Sequence, residues 1–120
     1  MREILFRSKR NDNGEWVYGD LMHKHYNFDT KATKVIHNNI MNYKVIPETI
    51  GQYTGMRDKN GKKIFEGDIV TMGTVRAYEV KYNNGSFYMD GTAILIKYVD
   101  RFEVIGNIHD NPELLKGGAE

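Results

Sequence analysis

Ile64-Phe65-Glu66-Gly67-Asp68-Ile69-Val70 leads, past Gly73, into a segment from Val75 to Tyr82 and then Asn83-Asn84-Gly85-Ser86-Phe87-Tyr88-Met89-Asp90. Tyr78, Val80 and Tyr82 alternate with Ala77, Glu79 and Lys81, the period of two expected of a strand with one buried face. Asn83-Asn84-Gly85 reads as a hairpin turn, from which Ser86-Phe87-Tyr88-Met89-Asp90 returns. Downstream, Ile94, Ile96 and Tyr98 alternate with Leu95, Lys97 and Val99, and Phe102 to Ile108 reads as a last strand broken at Gly106. The pattern predicts a meander of about four strands after Gly67.

Upstream, Ile4 to Arg7 and Trp16-Val17-Tyr18 flank Asn11-Asp12-Asn13-Gly14, which predicts a hairpin. Residues 23–47 follow neither period cleanly and are assigned short strands; Pro47 disfavours a helical Ile46, so Tyr43 to Ile46 should be extended. The run Arg57-Asp58-Lys59-Asn60-Gly61-Lys62-Lys63 has the composition of an exposed turn. At the end, Asp110-Asn111-Pro112-Glu113-Leu114-Leu115-Lys116-Gly117 has the capping, Pro and Gly signals of one short helix, with Leu114 and Leu115 as its docking or interface residues. The expected fold is therefore mainly β: an N-terminal β subregion over 1–55, a small SH3-like or open β-barrel over 56–109, and a helix over 110–117, in one domain. The barrel rests on strand count and on bends expected at Gly19, Gly51, Gly67 and Gly106.

The 120 residues contain no Cys, which excludes disulfides, thiolate metal sites and cysteine nucleophiles. Lys plus Arg number 17 against 16 for Asp plus Glu, a net charge of +1 that does not suit a protein basic all over for nucleic acid. The longest apolar runs, such as Ala93-Ile94-Leu95-Ile96, fall far short of the roughly 18 residues of a membrane span, so no membrane partner is expected. The start, Met1-Arg2-Glu3-Ile4-Leu5-Phe6-Arg7, does not read as a secretory signal, and a cytoplasmic location is expected.

Three site readings compete. His23 and His25, two apart on a strand, could share a metal with Asp20 or Asp29, but His37 and His109 are remote in sequence and no metal or cofactor is expected. Asp20, Glu48, Glu66 and Asp68 could form an acid and base pair. An Asp after Gly at a strand entrance more commonly accepts backbone N–H bonds, so Asp20 and Asp68 are expected to form turns and no enzyme activity is expected. Arg57, Lys59, Lys62 and Lys63 beside Tyr53 form a basic and aromatic grouping suited to tracking phosphates while a ring stacks on a base.

Pro47-Glu48-Thr49-Ile50-Gly51-Gln52-Tyr53-Thr54-Gly55 through Val70 resembles the signature of the YopX family of phage and prophage proteins. Trp16 to Leu21 is similar to that family's opening, and Val104-Ile105-Gly106-Asn107-Ile108-His109-Asp110-Asn111-Pro112-Glu113-Leu114-Leu115 to its closing motif. The resemblance spans nearly the whole chain and implies a bacterial virus or prophage origin and residence in the host cytoplasm. It carries no catalytic residue onto this sequence. One Trp, eight Tyr and five Phe offer wide contact area with polar tips. The functional expectation is a binding protein, forming a homo-oligomer or meeting a host protein, ahead of nucleic acid.

Overall fold

The computed structural model describes residues 4–27, 34–41, 43–71, 77–83, 86–89 and 101–117. It is mainly β, with strands in three antiparallel sheets and one short helix; no barrel is closed among the described residues. The chain divides into two compact units, Ile4–Gln52 and Tyr53–Glu120.

In the first unit, β1 (Phe6–Lys9) and β2 (Trp16–Gly19) form the expected hairpin, with Lys9 opposite Trp16 and Phe6 opposite Gly19. Its turn is closed by Gly14 N–H donating to the Arg10 carbonyl at 2.9 Å, and Gly14 takes φ 75°, which a side chain would strain. Strands β3 (Leu21–Asn27) and β4 (Lys34–Ile40) pair over seven positions, and β5 (Tyr43–Lys44) adds to β4. Ile46 is extended at φ −80°, ψ 113°, as Pro47 requires, and a 3-10 turn follows over Pro47–Thr49. Ile40 and Val45 are the buried apolar anchors of this unit.

Strand β6 (Gly51–Arg57) carries the chain onward; Gly51 and Gln52 pair with β1, while Tyr53 and Arg57 pair with β7 (Lys63–Phe65). The β6–β7 ladder bulges between Tyr53 and Arg57, where Gly55 takes φ 87°. Thr54 Oγ1 steadies the bulge by donating to the Ile64 carbonyl at 2.8 Å and accepting from Met56 N–H at 3.1 Å.

The second unit's main sheet contains β8 (Asp68–Thr71), β9 (Ala77–Asn83), β10 (Ser86–Met89) and β11 (Glu103–Asn107), in the order β10-β9-β8-β11. Asn83 lies opposite Ser86, and the expected turn residues Asn84 and Gly85 lie outside the described residues. Strand β11 returns to pair with β8. Asp68, Ile69 and Val70 are all buried, so β8 is a central strand that needs a partner on each side. The extra residue Ile105 makes a bulge before Gly106, the position at which the sequence predicts a bend. Ile64, Val70, Val80, Phe102 and Val104 form the core, with Met56, Tyr78 and Phe87 packed on it. Of the three alternating residues of β9, Val80 is buried and Tyr78 half-buried, whereas Tyr82 is exposed and packs across the hairpin on Phe87 at 4.9 Å. The short helix α1 (Glu113–Gly117) lies against β9. Gly73, the strand expected from Ile94 to Val99, and Asp29 lie outside the described residues.

Candidate functional site

The acidic signature residues fall at turns. Glu66 and Gly67 span the two positions between β7 and β8; Gly67 takes φ 92° and donates its N–H to the Val80 carbonyl at 2.8 Å. Asp68, buried, accepts the Phe65 N–H on Oδ2 at 2.7 Å, which closes that turn. Asp20 and Glu48 are exposed in the first unit. Gly51 is buried in β6 opposite Arg7. At Gly19 an added Cβ would sit 3.2 Å from Met41 Cγ and 3.3 Å from Ile40 Cγ2, so a side chain there would have to push these neighbours back by a few tenths of an ångström.

The basic group is brought together on the β6–β7 turn, but without a stacking ring. Arg57, Lys59 and Lys62 are exposed and Lys63 is half-buried. Tyr53 is only 5% exposed: its ring packs on Phe65 at 5.6 Å and lies 5.3 Å beneath the Lys63 ammonium. The face meant to stack on a base is thus not presented at the surface. Arg57 Nη1 donates to the Gly61 carbonyl at 2.8 Å, and Lys59 Nζ stands 3.7 Å from Glu103.

The decisive residue of this turn is Asp58, which the sequence presents only as one member of a run with the composition of an exposed turn. Asp58 is 6% exposed. Its Oδ1 accepts N–H bonds from Asn60 and Lys62, each at 2.9 Å, and its Oδ2 accepts the Val104 N–H of β11 at 2.9 Å. Burial disfavours the charged carboxylate, but these bonds from Val104, Lys62 and Asn60 and the nearby Lys62 charge outweigh it, leaving the carboxyl below its ordinary value. Gly61, at φ 84°, completes the turn.

The backbone register sets His37 opposite Lys24, out of step with His23 and His25. Among the described residues no group of three or more His, Asp and Glu stands close enough to hold a metal ion. His109 N–H donates to Asn107 Oδ1 at 3.0 Å in the turn before α1. Leu114 and Leu115 are half-buried on α1, which meets β9 of its own unit. No described helix is long and apolar enough to cross a membrane.

In the first unit, apolar side chains stand out at Tyr18, Met22, Met41 and Tyr43. Met41 lies against Gly19 at the end of β2, and Tyr43 follows it across the turn, with the Arg10 guanidinium 3.9 Å over its ring. Arg7 and Lys9 sit 4.8 and 5.5 Å over the Trp16 ring.

These features define a mainly β domain of antiparallel sheets in which Gly67 and Asp68 form the turn between β7 and β8. The family model described as YopX protein matches residues 5–116, and the chain belongs to the YopX family. It is also similar to the crystal structure of protein EF1440 from Enterococcus faecalis, with 28% identity over 96% of this chain and 99% of that one and a TM-score of 0.60. No curated protein matches the chain.

Proposed function

We propose that the protein is a non-enzymatic phage or prophage accessory protein, working in the cytoplasm of the bacterial host, that acts by protein–protein interaction. Its partner is a second copy or a host protein. The observation that carries this reading is the set of exposed apolar side chains of the first unit, chiefly Met41 and Tyr43 at the β4–β5 turn, with Tyr18 on β2. Large apolar and aromatic groups of this kind are enriched in the buried centres of interfaces. The enzyme reading has less support, since the Asp68 carboxylate is already committed to a backbone N–H.

Capture of the tagged protein from host lysate, with and without nuclease, followed by native mass spectrometry tests the proposal. A stoichiometric protein species that survives nuclease and is lost in a Met41→Ser, Tyr43→Ser variant supports it. Bound material that disappears with nuclease overturns it in favour of a second reading, nucleic-acid contact at the exposed Arg57, Lys59 and Lys62. That reading requires an affinity that falls steeply with salt and with replacement of Lys59, Lys62 and Lys63 by Ala.

A further inference from the structure

Strand β11 is paired on one side by β8 and is the outermost strand of its sheet among the described residues. A strand in that position turns alternate N–H and C=O groups outward, where they can template a further strand. In β11 three of these groups are already engaged. The Phe102 carbonyl, just before the strand, accepts the Lys59 N–H at 2.8 Å, and the Val104 N–H donates to Asp58 Oδ2 at 2.9 Å. Beyond the bulge at Ile105, the Asn107 N–H donates to Asn111 Oδ1 at 3.3 Å. Two of the three partners are side-chain oxygens, which satisfy the strand without extending the ladder.

We infer that the 58–62 turn is a strap that keeps the β11 edge closed to a second copy of this chain. The edge beneath it is self-complementary. In an antiparallel pairing centred on Glu103, the Val104 N–H of each copy meets the Phe102 carbonyl of the other, the pattern of a two-fold interface. Glu103 then faces its own counterpart, a like-charge contact that opposes pairing and reinforces the strap. This device is separate from the apolar surface around the β4–β5 turn, and either can fail without the other.

Asp58→Asn is the selective opening. An Asn oxygen retained by the two turn N–H groups of Asn60 and Lys62 leaves its NH2 facing the Val104 N–H, donor against donor. The readouts are amide exchange at Val104 and native mass spectrometry, each compared with the wild-type chain. In Asp58→Asn the Val104 amide should exchange fast when dilute and slow by about tenfold or more as concentration rises about a hundredfold, while a paired species grows beyond any that the wild type forms. Adding Glu103→Gln should strengthen the pairing. Slow exchange at Val104 in dilute Asp58→Asn overturns the inference, as does fast exchange at all concentrations in both variants with β8 and β9 amides still protected. Asp58→Ser, whose shorter hydroxyl can serve the turn but not reach the Val104 N–H, opens the edge by a second route if Asp58→Asn unfolds. No added paired species in either variant overturns the inference.

Discussion

Ser8 Oγ and Thr49 Oγ1 lie 2.6 Å apart, buried, across 41 positions of sequence. Both hydroxyls also reach the Ile46 carbonyl, at 3.0 and 2.7 Å, and Thr49 Oγ1 accepts the Lys9 N–H at 2.9 Å. The 3-10 turn is thereby fastened to β1 through side chains. Thr49→Val keeps the shape but orphans the Lys9 N–H and one partner of Ser8, so a loss of about 1–3 kcal/mol is expected. Ser8→Ala should cost less, and the double variant less than the sum, because the two share one network. Denaturant midpoints of the three variants check this order.

Asp58 links the turn to β11 by a charge, so its contribution depends on acidity. Its carboxyl lies below the ordinary 3.8 in the fold, because the Val104, Lys62 and Asn60 N–H bonds and the Lys62 charge outweigh the opposing effect of burial. The group binds its proton less readily when folded than when unfolded. Its stabilisation is therefore complete above the unfolded value and lost as pH falls through the folded one. Asp58→Asn should lower stability at neutral pH by about 1–3 kcal/mol and flatten the acid limb of the stability curve below the ordinary carboxylate range. An acid limb unchanged in the variant would place the linkage elsewhere.

Gly106 leaves room for Asn111. A Cβ added there would lie 2.6 Å from Asn111 Oδ1 and 2.9 Å from its Cγ, and that oxygen is held by the Asn107 N–H. Gly106→Ala must displace the side chain, with an expected loss of about 1–3 kcal/mol and faster exchange of the Asn107 amide. Asn111→Ala on that background should recover part of the loss, which a double-mutant cycle by thermal unfolding measures.

The parts of this fold legible in the sequence are those fixed by neighbouring residues. Asn13-Gly14 marks the first hairpin and the alternation around Val80 marks β9, because turn chemistry and pleat are local. The return of β11 to β8 is not local, and it depends on β8 being buried along Asp68–Val70. Tyr53 reads as a surface ring because it borders a lysine-rich turn, yet the Gly55 bulge resets the register and the ring is covered by Phe65 and Lys63. Asp58 reads as a solvated charge because its immediate neighbours are Arg57 and Lys59, while its partner Val104 is 46 positions away. A carboxylate two residues before an Asn-Gly pair, able to accept the turn's own N–H groups, is the available signal for its role.

Met41 holds φ 52° at the β4–β5 turn, the one described residue other than glycine with positive φ, and it is 61% exposed. A long side chain in the left-handed region costs about 1 kcal/mol, which Gly avoids and Asn largely avoids. Met41 also contributes the exposed thioether side chain beside Tyr43 in the proposed interaction surface. Met41→Gly should therefore raise or preserve stability while weakening association, whereas a residue kept only for packing would lose stability on truncation. Paired measurement of the unfolding midpoint and of the nuclease-resistant species separates the two. A lower midpoint with unchanged association would assign Met41 to the contact with Gly19 and remove it from the interaction surface.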